Sequence, residues 1–198
     1  VSPTAIAARN GLPPSLMVRI GQRLAVPAAR RAAARAQPTF AGRTYPRAVV
    51  AAANRNRARL TARDVPSRAE IRALITRTAR RLGVDPALAR AVAYQESGYN
   101  HRRVSIANAV GAMQVLPSTA RYLSRDVLGG RRLDVLRAED NVLAGVLLLR
   151  QLLSVAPPDQ AVAGYYQGLA SVRRNGMYPD TKAYVANVVA VRDRIASR

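Results

Sequence analysis

The segment that most restricts the fold is a long apolar helix at positions 139–153, with the sequence EDNVLAGVLLLRQLL. Its apolar side chains recur at helical intervals and cover much of the helix circumference; they are Val142, Leu143, Val146, Leu147, Leu149, Leu152 and Leu153. A helix that is apolar on most sides has to be surrounded by other elements. Pro157 and Pro158 end it. We therefore predict a globule built around this helix.

The other segments of the same region also carry helical signals. Ser67 and Glu70 form a capping box before an apolar-periodic segment that Gly83 ends. A final helix is predicted after Pro179. No alternating strand longer than four residues occurs here, although positions 111–115 are compatible with a small β element. The predicted fold class is therefore mainly α.

One further helix is bounded clearly at both ends. Asp85 is a good N-cap, and Pro86 suits the first helical position. Gly98 is a natural C-terminal stop. We predict a helix from about Pro86 to Ser97, with Glu96 in its last turn.

Glu96 is the candidate functional residue of this helix, since no other acid lies between positions 85 and 126. It shares a face with Leu88 and Val92 at four-residue spacing. Burial on that face and the negative end of the helix dipole should both raise its pKa, from about 4.3 towards ~6. A protonated carboxyl group can act as a general acid near neutral pH. The alternative is a structural Glu that caps the helix end or pairs with Arg102 or Arg103.

Several short motifs follow one another along the chain. They are QES (95–97), VS (104–105), GAMQVLPSTA (111–120), the long apolar helix (139–153), AGYYQGLASV (163–172) and YVANV (184–188). In their order and spacing they resemble the lytic transglycosylase domain of the soluble, lysozyme-like type, over positions 71–191. The resemblance implies a lysozyme-like helical globule with a deep substrate groove.

The resemblance also implies roles for individual residues. Glu96 would be the catalytic acid and base. The side chains expected to contact the substrate or the acid are Ser105, Met113, Gln114, Asn141, Tyr165, Tyr166 and Tyr184. The chain departs from the family pattern A-Y-N-A-G at Tyr166, which stands where the family has Asn. Core filling by Met113, helix-end packing by Tyr165 and Tyr166, and a polar helix start at Asn141 are the structural alternatives.

A lone carboxyl group restricts the reaction. Glycoside hydrolysis ordinarily uses two, about 5 Å or about 6.5–9.5 Å apart. Glu70 and Glu139 lie in no matching motif, and Asp134 and Asp140 are better placed to cap the long helix. By resemblance, the N-acetyl group of the substrate replaces the second carboxylate. The implied reaction cleaves the β-1,4 bond between N-acetylmuramic acid (MurNAc) and N-acetylglucosamine (GlcNAc) and leaves a 1,6-anhydro-MurNAc end.

Two other functions stay open. One is a muramidase that uses water on the same fold, and the other is a non-catalytic, basic wall- or nucleic-acid-binding protein. The partner implied by the leading interpretation is the glycan strand of peptidoglycan, bound by a monomer. We expect no specific nucleic-acid partner, because the basic N-terminal region has only two aromatic residues, Phe40 and Tyr45, for base stacking.

Composition adds a strong positive charge, +21, with 32 basic and 11 acidic residues. Such a surface attracts polyanions, so anionic wall polymers are a further expected partner. Cysteine is absent and the single histidine, His101, is expected to face solvent in a loop, so we expect no metal or other cofactor. No stretch of 18 apolar residues occurs. Because the chain begins at Val1, we expect a fragment or processed product. The resemblance to lytic transglycosylases implies a protein that acts outside the cytoplasm, secreted or wall-associated.

The N-terminal third differs in composition from the rest. Residues 1–27 contain NGL (10–12) and IGQRLAVP (20–27), which resemble the second half of a LysM module, a binder of GlcNAc-containing glycans. Half a module should not fold or bind alone. Residues 28–64 are an Ala/Arg-rich linker, with a thin apolar stripe that is compatible with a helix from Pro46 to about Leu60. The predicted catalytic domain is then residues 65–198.

Overall fold

The structure is a computed structural model that describes residues 10, 25, 39–40 and 43–197. Within these residues it is mainly α, as predicted. Two short strands, β1 (Thr39–Phe40) and β2 (Arg43–Thr44), pair antiparallel with Thr39 opposite Thr44. The helices are α1 (Arg47–Thr61), α2 (Arg68–Arg81), α3 (Pro86–Ser97), α4 (Pro117–Asp126), α5 (Ala138–Val155), α6 (Pro158–Gln167), α7 (Leu169–Asn175) and α8 (Pro179–Ala196).

The chain divides into two compact units, residues 1–36 and 37–198. In the first unit, the Asn10 side chain accepts a hydrogen bond from the Ala25 amide at 2.7 Å and donates one to the Ala25 carbonyl at 2.8 Å. The other residues of the LysM-like prediction lie outside the described residues. All the elements named above belong to the second unit.

The predicted helix boundaries are confirmed. Ser67 and Glu70 form the capping box of α2, with the Ser67 amide donating to Glu70 at 2.7 Å. Asp85 caps α3 by accepting a hydrogen bond from the Ala87 amide at 2.8 Å. Gly98 ends α3 with φ 62°, a left-handed conformation that glycine adopts without steric cost.

Helix α5 is the centre of the fold. Val142, Val146 and Leu149 are fully buried, and α2, α4 and α6 pack around the helix. Helix α3 packs against α2 on one side and α8 on the other. The sequence prediction of a central apolar helix is confirmed, because a helix that is apolar on most sides loses contact with water only when several neighbours enclose it.

The helix predicted after Pro46 is present as α1. Ala53 and Leu60 on its apolar stripe are fully buried. This helix lies in the same compact unit as the rest of residues 37–198. The domain boundaries at residues 27 and 64 stay predictions.

The loop between α3 and α4 carries two isolated β bridges, Val104 with Val110 and Val110 with Val115. The β element expected near positions 111–115 is therefore a pair of single bridges and not a strand. Within the described residues, no helix is both long enough and apolar enough to cross a membrane.

Candidate active site

Glu96 lies in the last turn of α3, where that helix packs against α8. The hydroxyl of Tyr184, on α8, donates a hydrogen bond to Glu96 Oε1 at 2.6 Å. Tyr184 is itself 5% exposed, whereas Glu96 keeps an intermediate exposure. The carboxyl group is therefore held by one buried partner, in a residue that is not fully enclosed.

Burial raises the pKa of the Glu96 carboxyl from 4.5 to about 7. Removal from water disfavours the charged form of a carboxyl group, and here this effect outweighs two others that lower the pKa. Those two are the Tyr184 hydrogen bond and the positive charge of Arg103. Near neutral pH the group is thus divided between its acid and carboxylate forms, as a group that first gives and then takes a proton should be.

The alternative interpretation of Glu96, a partner for Arg102 or Arg103, fits the structure less well. The Arg102 guanidinium donates to the Arg63 carbonyl at 2.7 Å. Arg103 acts on Glu96 through its charge, as the smallest of the three contributions to its pKa. The three causes of the Glu96 pKa shift are burial, Tyr184 and Arg103, and no carboxylate of the described residues is among them.

Tyr165, on α6, also lies near the acid. Its hydroxyl donates to the Met113 carbonyl at 2.8 Å. Burial raises the pKa of Tyr165 well above 10, and the nearby charge of Glu96 adds to this effect. Tyr165 therefore remains a neutral donor and joins α6 to the loop that precedes α4.

Tyr166, the departure from the family pattern, packs against Tyr184. The two rings stack with centroids 4.6 Å apart and planes inclined by 20°. The Tyr166 hydroxyl donates to Asp180 Oδ2 at 3.2 Å. Tyr166 is 42% exposed, so it forms the solvent side of a cluster whose inner member contacts Glu96.

Met113 and Asn141 hold the 111–115 loop from within. Met113 is fully buried against Gly145 of α5, where a Cβ at position 145 would lie 2.5 Å from Met113 Cβ. The Asn141 side chain accepts from the Met113 amide at 3.0 Å and donates to the Val110 carbonyl at 2.7 Å. The burial of Met113 favours its structural alternative, core filling, over direct contact with a substrate. Asn141 lies at the start of α5, as its structural alternative has it, and its side chain also anchors the loop.

His101 corrects a prediction, because it is 1% exposed and does not face solvent. Its Nδ1 accepts from the Ala112 amide at 3.2 Å, and Nε2 lies 3.2 Å from the Leu136 carbonyl. The imidazole is therefore neutral with its proton on Nε2, and burial lowers its pKa. Gly111, at φ 78°, lies so close that a Cβ there would come within 2.7 Å of the His101 ring.

Gln114 and Ser105 form hydrogen bonds within the loop between α3 and α4, on its more accessible side. The Gln114 amide group donates to the Arg103 and Gly111 carbonyls at 3.0 and 2.9 Å. Ser105 Oγ accepts from the Ala109 amide at 3.1 Å. These hydrogen bonds are internal to the loop, and contact of either side chain with a substrate stays a prediction.

Helix α1 supports this loop from outside. Asn56 donates to Asn108 Oδ1 at 2.8 Å, and the Arg57 guanidinium donates to the Val104 carbonyl at 2.9 Å. Asn108 has φ 63°, a left-handed conformation that Asn tolerates better than most residues. A segment predicted as a linker thus supplies side chains that hold the loop next to the acid.

Ser97 is a residue of the site that sequence reasoning missed. Its hydroxyl donates to the Ala112 carbonyl at 2.7 Å and ties the end of α3 to the 111–115 loop. The only sequence signal is its place directly after Glu96, on the buried side of the helix end.

The interpretation of Asp134 and Asp140 as caps of the long helix is wrong. Helix α5 begins without a side-chain cap. Asp140 instead accepts from Arg131 and from the Asp134 amide, both at 3.1 Å, and Asp134 accepts from the Leu136 amide at 3.0 Å. Both carboxylates accept hydrogen bonds from the loop before α5 and so stabilise its conformation, because that loop has backbone donors to satisfy near the core.

The surface includes cavities of about 610 and 550 Å³. The larger is lined in part by Asp159 and Lys182, and the smaller by Arg121 and Arg132. Neither lining includes Glu96, so a deep groove around the acid stays a prediction. In the described part of the chain, no group of three or more His, Cys, Asp or Glu is placed to hold a metal ion.

Comparison with known proteins gives one consistent family. The family model described as "Transglycosylase SLT domain" matches residues 73–187. The membrane-bound lytic murein transglycosylases C of Actinobacillus pleuropneumoniae serotypes 5b (strain L20) and 3 (strain JL03) are each 39% identical over 61 residues, which is 31% of this chain and 16% of theirs. The structure of an inactive mutant of lytic transglycosylase Slt from Pseudomonas aeruginosa matches with TM-score 0.55 and 25% identity, over 61% of this chain and 23% of that one. The chain thus spans a small part of the length of these relatives.

Proposed function

This chain belongs to the transglycosylase SLT family, and from that premise we propose that it is a peptidoglycan lytic transglycosylase. Its substrate is the β-1,4 bond between MurNAc and GlcNAc, and its product carries a 1,6-anhydro-MurNAc end. The observation that carries the proposal is the state of Glu96: a carboxyl group with a pKa of about 7, held by one buried donor, with no carboxylate of the described residues among the causes of its pKa shift.

The reaction has two proton transfers, and both use Glu96. The protonated carboxyl group gives its proton to the glycosidic oxygen while the C1–O bond breaks and its electrons pass to that oxygen. The carbonyl oxygen of the MurNAc N-acetyl group stabilises the positive charge at C1, which is the task a second carboxylate performs in other glycosidases. The Glu96 carboxylate then takes the proton of the 6-hydroxyl as O6 bonds to C1. No water is consumed.

Tyr184 assists both steps. Its hydrogen bond keeps one carboxyl oxygen of Glu96 fixed, which leaves the other to face the substrate. Because the donor is neutral and remains so, it stabilises the carboxylate formed after the first transfer. Ser105, Gln114 and Tyr166 are proposed to contact the glycan near the acid.

The site also suggests where the protein works. Peptidoglycan strands lie outside the cytoplasm, so we propose an extracytoplasmic, secreted or wall-associated protein that acts as a monomer. Its net charge of +21 favours retention on anionic wall polymers. We propose residues 65–198 as the catalytic domain, with the side chains of α1 supporting its loop.

The test is digestion of purified peptidoglycan sacculi, followed by mass spectrometry of the soluble fragments. We expect fragments that lack the mass of one water relative to hydrolysis products, and we expect Glu96→Gln to release none at equal protein concentration. Fragments with ordinary reducing ends would instead identify a muramidase. Release by Glu96→Gln at more than a tenth of the wild-type rate would contradict the assignment of the acid.

A further inference from the structure

Tyr166 replaces the Asn of the family pattern and lies across one face of α8. Asp180 and Tyr184 are four residues apart on that helix, so they share a face. The Tyr166 hydroxyl binds Asp180 at 3.2 Å while its ring stacks on Tyr184 at 4.6 Å. One side chain from α6 therefore contacts both.

The stack places an exposed ring over a buried one. Tyr166 is 42% exposed and Tyr184 is 5% exposed. The buried ring ends in the hydroxyl that donates to Glu96 at 2.6 Å. Parallel contact at this distance restricts how the Tyr184 ring can tilt, because aromatic pairs prefer particular offsets. An Asn side chain at position 166 has no ring and could not supply this support.

We propose that Tyr166 is a positioning residue for the transglycosylase reaction: braced by Asp180, its ring holds Tyr184 in the orientation that fixes the Glu96 carboxyl group. This inference rests on the proposed function, and it assigns to Tyr166 an action through Tyr184 in addition to any contact with sugar. A residue that acts in this way alters turnover and the protonation of Glu96 more than it alters substrate affinity.

The sign of the effect on Glu96 follows from the groups around it. Burial raises the pKa of Glu96, whereas Tyr184 on α8 and Arg103 in the loop lower it, and Tyr165 and Tyr166 on α6 face the same cluster. Leu at position 166 keeps an apolar side chain there, so the change tested is the support of the Tyr184 hydrogen bond. If loss of the Tyr166 ring loosens the Tyr184 hydrogen bond, the carboxylate loses a donor and the Glu96 pKa rises. Activity that needs protonated Glu96 then persists to higher pH, although fewer molecules hold the productive geometry.

The first test measures the rate of anhydro-fragment release from sacculi by the full chain between pH 5 and 9. We expect Tyr166→Leu to lower kcat about tenfold, to change KM less than about twofold, and to shift the alkaline limb upward by about half a pH unit. Tyr166→Phe keeps the ring and should stay within about threefold of wild type. Tyr178→Phe is the matched control, since Tyr178 is near Asp180 in sequence and bonds only Asn175 through its hydroxyl in the described contacts.

A second test measures the protonation of Glu96 directly, in the absence of substrate. The chain has three glutamates, Glu70, Glu96 and Glu139, so side-chain ¹³C labelling of Glu gives three carboxyl titrations by NMR. We expect Tyr166→Leu to raise the titration midpoint of Glu96 by about half a unit and to leave that of Glu70, which is lowered by the Ser67 hydrogen bonds, unchanged.

The proposal would be overturned if Tyr166→Leu left both the NMR titration midpoint of Glu96 and the alkaline limb of the pH–rate profile unchanged. This holds whether kcat is normal or lowered, since loss of folded protein reduces the rate without moving a pKa. A rise in KM alone would overturn it too and leave Tyr166 as a sugar contact. These outcomes are distinct from failure of the proposed function, in which the wild-type chain would release no anhydro fragments.

Discussion

Glu96 shows how burial tunes one side chain for two opposite tasks. A carboxyl group with its ordinary pKa would be ionised at neutral pH and could not protonate a leaving group. The raised pKa of about 7 makes the acid form available, and the Tyr184 hydrogen bond stabilises the carboxylate form. The balance of these two effects sets the pH range over which the acid form of Glu96 is available.

The raised pKa has a consequence for stability. Because the folded-state pKa of Glu96 lies above its unfolded value, its contribution is fully present below about pH 4.5 and is lost as pH rises through about 7. After allowance for its partial exposure, we expect ionisation of Glu96 to lower the free energy of unfolding by about 2 kcal/mol. Glu96→Gln should therefore be more stable than wild type at pH 8 and similar at pH 4.

Thermal or urea unfolding at the two pH values measures this difference. The matched control is Glu139→Gln, a substitution of the same type on α5. An equal stability difference between Glu96→Gln and wild type at both pH values would contradict the raised pKa.

Tyr184→Phe should separate the effect of the Tyr184 hydrogen bond on Glu96 from the effect of burial. Removing the hydroxyl takes away a donor that lowers the Glu96 pKa, so we expect that pKa to rise by about one unit and the alkaline limb of the activity profile to follow. The control is Tyr165→Phe, since Tyr165 donates to the Met113 carbonyl. A pH–rate profile measures both variants, and an unmoved limb in Tyr184→Phe would disprove the role of this hydrogen bond.

At the scale of elements, the site depends on close contact between α5 and the 111–115 loop. Gly145 allows the backbone of α5 to approach Met113, and Gly111 allows the loop to approach His101. The internal hydrogen bonds of Asn141 and His101 then hold the loop from the core side. The loop that carries the Gln114 side chain is thus positioned by residues that are buried in the core.

Gly145→Ala tests this arrangement. The added Cβ would meet Met113 at 2.5 Å, a clash that has to move either α5 or the loop. We expect a loss of about 1–3 kcal/mol in the free energy of unfolding. We also expect a loss of activity that is larger than a change in the protonation of Glu96 alone would cause. Gly164→Ala on α6 is the control, because its nearest neighbour is Leu169 Cβ at 3.1 Å and small shifts relieve the contact. Urea unfolding of the two variants gives the comparison, and equal stability would argue against the clash.

At the scale of the whole molecule, charge and fold act separately. The chain carries +21 net charge, whereas Glu96 lies in a cluster of tyrosines with one arginine acting on it. We therefore expect the net charge to act on the attraction to polyanions, and the tyrosine cluster to act on the protonation of Glu96.

The salt dependence of binding and of cleavage should distinguish the effect of net charge from that of the tyrosine cluster. We expect binding to sacculi, measured by co-sedimentation, to weaken about tenfold or more between 50 and 500 mM NaCl, since exposed charges are screened over about 4 Å at the higher concentration. Cleavage of a short, peptide-free glycan should change less than about twofold over the same range. Binding that is insensitive to salt would show that charge does not hold the protein on the wall.

Sequence alone predicted five of the eight described helices (α1, α2, α3, α5 and α8), the central position of α5, and Glu96 as the candidate acid. These depend on local information: the capping residues at Ser67 and Asp85, the apolar periodicity of α5, and the single carboxyl group on the apolar face of α3. The tertiary structure decided the partners. Tyr184 lies 88 positions from Glu96, and His101 is buried because the Ala112 amide and the Leu136 carbonyl satisfy both ring nitrogens. Such pairs form only when distant segments pack together, and no local pattern along the chain encodes which polar groups will meet.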